Sequence, residues 1–179
     1  FLSQVTGQLV TGPIVFSLPA NGDRVEIKGV EFIAQSRFNA LPGALSNFGG
    51  ILNYTFADSD AAFVEGQVTS EVASIPGISR NSFNAILYYD DGALDARLAY
   101  AYRDRFVQST AGSFGVPEFQ NARGQLDFSA NYAVSEQLTL QFQALNITKE
   151  RLEVESVRNV PNDTAQLDRR FFLGARYTF

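Results

Sequence analysis

Seven segments of this sequence alternate apolar and polar residues with a period of two. The clearest segment runs from Leu94 to Arg103, where Leu98 and Tyr100 share the apolar parity and Arg97 lies on the other. Successive side chains of a β-strand point to opposite faces, so this pattern predicts strands, with no helix longer than two turns. The predicted strands are residues 24–38, 45–57, 80–90, 93–104, 122–133, 137–148 and 169–179.

The two predicted faces of these strands differ in charge. The apolar faces carry no Asp, Glu, Lys or Arg, whereas the opposite faces carry eight charged residues. A soluble barrel or sandwich would turn the apolar face inward, and an outer-membrane barrel would turn it towards lipid. The alternation alone therefore leaves both architectures open. The charged residues are Glu31, Arg37, Asp95, Arg97, Arg103, Asp127, Arg170 and Arg176.

Three further features favour a transmembrane barrel over a soluble one of the lipocalin type. Short turns alternate with long loops that lack a strand pattern, so antiparallel strands would put all the turns at one end. Aromatic residues lie near both ends of the apolar faces, as in interfacial girdles. The strands are also longer than the usual ~5–6 residues of globular sheets. The turns are 39–44, 90–92 and 134–136, and the loops are 58–79, 105–121 and 149–168.

The amino-terminal region is less regular. Val25 and Ile27 have the opposite parity to Val30 and Phe32, which predicts either a bulge near Gly29 or a stretch beyond the membrane edge. Residues 1–23 are interpreted as an upstream segment, either a strand over 5–17 or an extracellular loop. Residues 24–179 then hold the strands of the barrel.

Composition excludes several functional classes. The sequence has no Cys and no His, which excludes disulfides, cysteine or imidazole metal sites and Ser–His catalysis. The net charge of -5 argues against nucleic acid as a partner. No catalytic constellation is visible, so we expect no enzyme activity, no cofactor and no metal. The chain starts at Phe1 without a signal peptide, which predicts a processed chain or part of a longer one.

Four motifs resemble those of a known family. RRFFLGARYTF at the carboxyl terminus resembles the terminal β-signal of bacterial outer-membrane barrels. NGDRVEIKGVEF (21–32), NAILYYDDGALDARLAYAYRDRF (84–106) and QLTLQFQALNITKER (137–151) resemble strands and hairpins of TonB-dependent receptors. Their order and spacing match along 21–179.

The resemblance implies an all-β, antiparallel transmembrane barrel, with about seven or eight strands of a barrel of about 22 strands present here. It implies a carboxyl-terminal part that lacks the plug domain. The complete receptor would import a scarce nutrient, such as a ferric siderophore, cobalamin or an oligosaccharide, across the bacterial outer membrane. The implied partners are outer-membrane lipid, the TonB complex (through the missing plug), the barrel-assembly machinery and a small-molecule ligand.

Two groups of residues are candidate functional sites. The first is an excess of arginines on the polar faces, which would attract an anionic solute or simply form a wet wall that pairs with the plug. The second is the alternating terminal strand, which the resemblance implies is read as an assembly signal. The arginines are Arg37, Arg97, Arg103, Arg170 and Arg176, and the signal residues are Phe171, Leu173, Ala175, Tyr177 and Phe179.

An alternative is a small autonomous outer-membrane barrel with a structural or adhesive role. That barrel would need residues 5–17 as an eighth strand, and its narrow interior would have to pair the inward charges. The many inward Asn and Gln residues suit a wide, wet lumen better.

Overall fold

The computed structural model describes residues 25–61, 74–110, 112, 116–156 and 160–179. The possible strand over 5–17 lies outside these residues. So does the whole of the upstream segment, residues 1–23, and its prediction stays untested.

Eleven strands form two antiparallel sheets in the described residues. The first, the long sheet, has the order β1-β2-β3-β4-β7-β8-β11 and matches all seven predicted strands. The second, the loop sheet, has the order β10-β9-β6-β5. The strands are β1 (Val25–Arg37), β2 (Phe48–Ala61), β3 (Asn81–Asp90), β4 (Leu94–Arg103), β5 (Phe106–Ser109), β6 (Glu118–Gln120), β7 (Arg123–Ala133), β8 (Leu138–Leu145), β9 (Arg151–Ser156), β10 (Val160–Gln166) and β11 (Arg170–Tyr177).

The long sheet has two unlike ends. At the turn end, β1 and β2 are joined through a short 3-10 helix, Gly43–Asn47, and short turns join β3 to β4 and β7 to β8. At the loop end, the longer connections join β2 to β3, β4 to β7 and β8 to β11. This arrangement is the one predicted from the alternating connection lengths. Strands β1 and β11 lie at the two edges of the sheet.

Register places the predicted apolar faces of all seven long strands on one side of the sheet. For example, Leu52 pairs with Ala85, Ala85 with Tyr100, and Tyr100 with Leu126. Directly paired residues of antiparallel strands project to the same side, so the row continues across the sheet. We call this side the apolar face and the opposite side the polar face.

The bulge expected near Gly29 is absent, and that prediction is wrong. Pairing between β1 and β2 runs without a shift from Val25, opposite Ala61, to Arg37, opposite Gly49. Val25 and Ile27 therefore lie on the polar face at the loop end. The change of parity is a change of residue type along a regular strand, and the alternative of a stretch beyond the membrane edge stays a prediction.

The connections 105–121 and 149–168 are not the patternless loops expected from the sequence. They contain β5, β6, β9 and β10, and pairing of β6 with β9 joins two separate connections into one sheet. The strands are short, and two of their pairings contain register shifts, at Val107/Ser109 and Pro161/Asp163. Strands this short and irregular leave no alternation that sequence analysis can detect.

Burial is concentrated in the loop sheet. Val107, Phe119 and Val154 are almost fully buried there, whereas Ala144 is the one buried hydrophobic residue among the described residues of the long sheet. Leu173 in β11 is 84% exposed. A single-layer sheet has no protein packed on its faces, so its side chains stay open to the surroundings. Within the described ranges, no helix has the length and apolar character to cross a bilayer.

Candidate binding site on the polar face

The five arginines singled out in the sequence all lie on the polar face, but the structure does not bring them together. Arg37 and Arg97 share one row near the turn end, through Gly49 and Tyr88. Arg176 pairs with Thr139, also near the turn end. Arg103 and Arg170 lie at the loop ends of their strands. The basic residues therefore form two zones and not one cluster.

The zone near the turn end has mixed charge. An ion pair of 3.6 Å joins Arg37 Nη2 to Asp90 Oδ2. Arg97 lines a cavity of about 350 Å³ together with Asp90 and Asp95. The Asp95 carboxylate also accepts a hydrogen bond of 3.1 Å from Asn131 Nδ2. Positive and negative groups balance here, so this zone has no clear preference for an anion.

The zone near the loop end is basic. Arg103 in β4 pairs directly with Arg123 in β7. A cavity of about 330 Å³ lies at this pair, and its other lining residues are Ser82, Asn84, Ala101, Tyr102 and Gln125. No carboxylate lines it. Arg123 was missed among the sequence candidates, although its parity with Gln125 and Asp127 on a predicted strand would have placed it on the polar face.

Arg103 also holds the loop layer to the long sheet. Its Nε donates to Ser79 Oγ and its Nη2 donates to the carbonyl oxygen of Gly77. Its guanidinium lies 3.9 Å from the ring centroid of Phe106, the first residue of β5. One arginine therefore connects the polar face to two connections at the loop end.

The nearest acidic side chain along β7 is already engaged. Gln125 Nε2 donates to both carboxylate oxygens of Asp127, at 2.9 and 3.0 Å. The backbone N–H of Asn146 donates to Asp127 Oδ1 at 2.7 Å. Three hydrogen bonds therefore reach this one carboxylate. Asp127 is thereby held in place by its neighbours at the loop end of β7 and β8.

Asn146 is a second residue that sequence analysis missed. It is 3% exposed and has a positive φ of 55°, a left-handed conformation that Asn tolerates better than most residues. Its Nδ2 donates to the carbonyl oxygens of Glu150 and Leu167, at 3.3 and 2.6 Å. Its Oδ1 accepts from the Glu150 N–H at 2.8 Å. Asn146 thus joins the start and the end of the connection that carries β9 and β10.

Basic side chains continue into the loop layer. The Arg105 guanidinium lies 3.9 Å from the ring centroid of Phe119. Arg80 Nη2 lies 3.8 Å from Asp58 Oδ1. These residues line a cavity of about 310 Å³ between the end of β2, the connection before β3 and the loop sheet. Two arginines and one aspartate therefore line this second cavity of the loop end.

The apolar face is bordered by tyrosines whose hydroxyl groups are hydrogen-bonded. At the loop end, Tyr54 donates to Asn81 Oδ1 at 2.7 Å and Tyr102 donates to Asp104 Oδ1 at 2.8 Å. At the turn end, Tyr89 donates to Asp91 Oδ2 at 2.9 Å. A ring on an apolar surface with its hydroxyl bonded to a polar group suits a membrane interface.

The terminal strand extends the apolar face to the edge of the long sheet. Residues Phe171, Leu173, Ala175 and Tyr177 pair with the apolar residues of β8. The rings of Tyr177 and Phe179 meet edge to face, with 5.3 Å between their centroids. The geometry keeps the alternating side chains of the predicted assembly signal on one side.

Comparisons with known proteins agree with this fold. No curated protein matches the chain. Among solved structures, the crystal structure of the siderophore receptor PiuA from Acinetobacter baumannii is similar, with a TM-score of 0.62 at 15% identity. The match covers 86% of this chain and 22% of that receptor, so the chain spans under a quarter of its length.

A family model described as "TonB dependent receptor-like, beta-barrel" matches residues 1–147. That range includes strands β1 to β8. The long sheet has its apolar residues on one face, as the wall of such a barrel requires. This chain belongs to the β-barrel family of TonB-dependent receptors.

Proposed function

We propose that this chain supplies carboxyl-terminal strands to an active transport receptor of the bacterial outer membrane, energised through TonB. The observation that carries the proposal is the family match over residues 1–147. The long sheet supports it, because its apolar face suits contact with lipid and its polar face suits a water-filled lumen. The exposed edges of β1 and β11 would pair with further strands of the complete receptor, since open edges are not tolerated in lipid.

The substrate class proposed is an anionic ferric siderophore, ahead of cobalamin and oligosaccharides. Its support is the basic cavity at Arg103 and Arg123, near the loop end of the polar face. Basic groups lining a passage concentrate anions there. The receptor with the similar fold is named as a siderophore receptor, which agrees with this choice.

Transport can be tested in cells that lack the complete receptor. Uptake of radiolabelled ferric siderophores, cobalamin and maltooligosaccharides would be compared before and after the gene is restored. We expect one anionic ferric siderophore to be taken up only with the receptor, and only while TonB is present. Uptake that persists without TonB would contradict an energised receptor, and uptake of cobalamin or an oligosaccharide alone would contradict the substrate class.

We also propose that β11 is the segment read by the barrel-assembly machinery. A strand edge with alternating side chains offers backbone pairing and side-chain pockets to a partner. Deleting Phe179 from the complete receptor should lower the amount that reaches the outer membrane, without weakening ligand binding by the molecules that arrive. Thr178→Ala, on the other parity, is the matched control and should assemble normally. Surface labelling with a binding assay tests this, and normal surface levels with weakened binding would reverse the conclusion.

A further inference from the structure

The basic cavity at the loop end differs from the cavity of similar size near the turn end of the polar face. Asp90 and Asp95 line the cavity of Arg97, so its positive charge is balanced locally. Two arginines and five neutral residues line the cavity of Arg123, with no carboxylate among them. Within the described residues, Arg123 forms no ion pair. The difference in lining predicts a difference in what each cavity attracts.

Arg103 and Arg123 are both positively charged and lie directly opposite each other in the long sheet. Like charges directly opposite each other in an antiparallel sheet are destabilising. The repulsion between the two guanidinium groups is reduced here because that of Arg103 donates to Ser79 and Gly77 and stacks on Phe106. Asp127, farther along β7, is occupied by Gln125 and Asn146 and is not a lining residue of the cavity. Asp127 therefore does not balance the positive charge of Arg123 at the cavity.

We propose that this cavity is an oxyanion subsite in which Arg123 binds a carboxylate-type group of the transported ligand. The guanidinium fork of arginine can hold two oxygens of one such group. Ser82 and Asn84 offer further hydrogen-bond donors to the same oxygens. The volume of about 330 Å³ accommodates a group the size of a small polycarboxylate. This inference rests on the proposed function, since it names a contact of the transported substrate.

Arg103 gives the subsite a connection to the loop layer. Its guanidinium already binds Ser79 and Gly77, and its backbone position is opposite Arg123. An anion beside Arg123 would reduce the repulsion between the two arginines and favour the arrangement in which Arg103 holds the loops. Binding at the subsite would thus stabilise the contact between the long sheet and β5.

The experiment measures binding of citrate to the purified complete receptor by titration calorimetry, with maltotriose as a neutral probe. Arg123→Gln should weaken citrate binding about tenfold or more, because a charge-assisted bidentate contact is lost. Arg123→Lys should lose less, because the charge remains while the fork does not. The matched control Arg97→Gln should change binding less than twofold. Maltotriose should not compete with citrate.

Three results would overturn the subsite. The first is that the wild-type receptor does not bind citrate at millimolar concentration. The second is that Arg97→Gln and Arg123→Gln weaken citrate equally, which would indicate only the general field of the wall. The third is that Arg123→Gln lowers thermal stability while citrate binding is unchanged, which would indicate a carboxylate partner within the receptor. Because the assay needs no TonB, its failure is separate from a failure of transport.

Discussion

The long sheet and the loop sheet hold the structure together in different ways. The long sheet pairs strands of 8 to 14 residues in continuous register, yet its described residues include one buried hydrophobic residue, Ala144. The loop sheet pairs strands of 3 to 7 residues with two register shifts, yet it contains Val107, Phe119 and Val154. The regular part thus has little packed core, and the irregular part has most of it.

The difference follows from what surrounds each sheet. Lipid and water are expected to cover the two faces of the long sheet. Hydrogen bonds between strands therefore hold this sheet together, and its side chains are apolar on one face and polar on the other. The loop sheet is expected to lie beyond the membrane and to gain stability by burying its own side chains, as a small soluble sheet does. Substitutions should therefore affect assembly in one sheet and local order in the other.

The largest effect is expected from a charge on the apolar face of the long sheet. Leu98 pairs with Leu87 and Phe128 near the middle of β4. An arginine on the lipid face near the bilayer midplane costs about 2–4 kcal/mol. Leu98→Arg in the complete receptor should therefore strongly reduce the folded barrel, measured by heat-modifiable mobility on gels. Ala99→Arg, one residue along on the polar face, is the matched control, and equal losses would contradict the assigned faces.

The next effect should stay within the loop sheet. Phe119 is 8% exposed and stacks with Arg105, so Phe119→Ala removes a large buried ring and its cation contact. Such truncations cost about 3–5 kcal/mol in a fully packed core, and the cost should be smaller in a thin sheet that can collapse around the gap. We expect faster hydrogen exchange in β5, β6 and β9, with exchange in β3 and β4 unchanged. Exchange that accelerates in both sheets would indicate one cooperative unit and remove the distinction between them.

A smaller effect should appear where the two sheets join. Asn146→Ala removes the side-chain bonds to Glu150 and Leu167 and places alanine at a positive φ. Leaving buried groups without partners costs about 1–3 kcal/mol. Proteolysis within β9 and β10 should therefore increase while the barrel remains folded. Asn146→Gly, which relieves the backbone but not the lost bonds, should be less harmful, and the reverse order would exclude a role for the backbone conformation.

The smallest effect is expected in the turn between β3 and β4. Hydrogen bonds from the Leu94 N–H and the Tyr89 hydroxyl lower the pKa of Asp91 below its ordinary value of 3.8. A lowered pKa in the folded state contributes stability above the unfolded pKa, and this stability is lost as the pH falls through the folded pKa. Asp91→Ala should therefore be slightly less stable than wild type near neutral pH, with the gap closing below about pH 4. Urea unfolding at both pH values measures this, and a gap that widens in acid would contradict it.

These two sheets also differ in how far the sequence predicts them. All seven long strands and the shared apolar face were predictable, because each strand alternates between two fixed environments. The loop strands were not, since pairings such as Phe119 with Glu155 depend on contacts between distant connections. For the candidate site, parity placed the arginines on the polar face. It could not show that Arg103 lies opposite Arg123, because β4 and β7 are joined by a long connection that leaves their register open in the sequence.

The central claim is that the apolar face of the long sheet meets lipid and the polar face meets water. Single cysteines at positions 97, 98, 99 and 100 of β4, carrying spin labels in the complete receptor in bilayers, test it directly. The account predicts an alternation with a period of two, in which labels at 98 and 100 collide with oxygen and labels at 97 and 99 collide with a water-soluble nickel chelate. The reverse alternation, or equal access to both reagents at all four positions, would contradict the account.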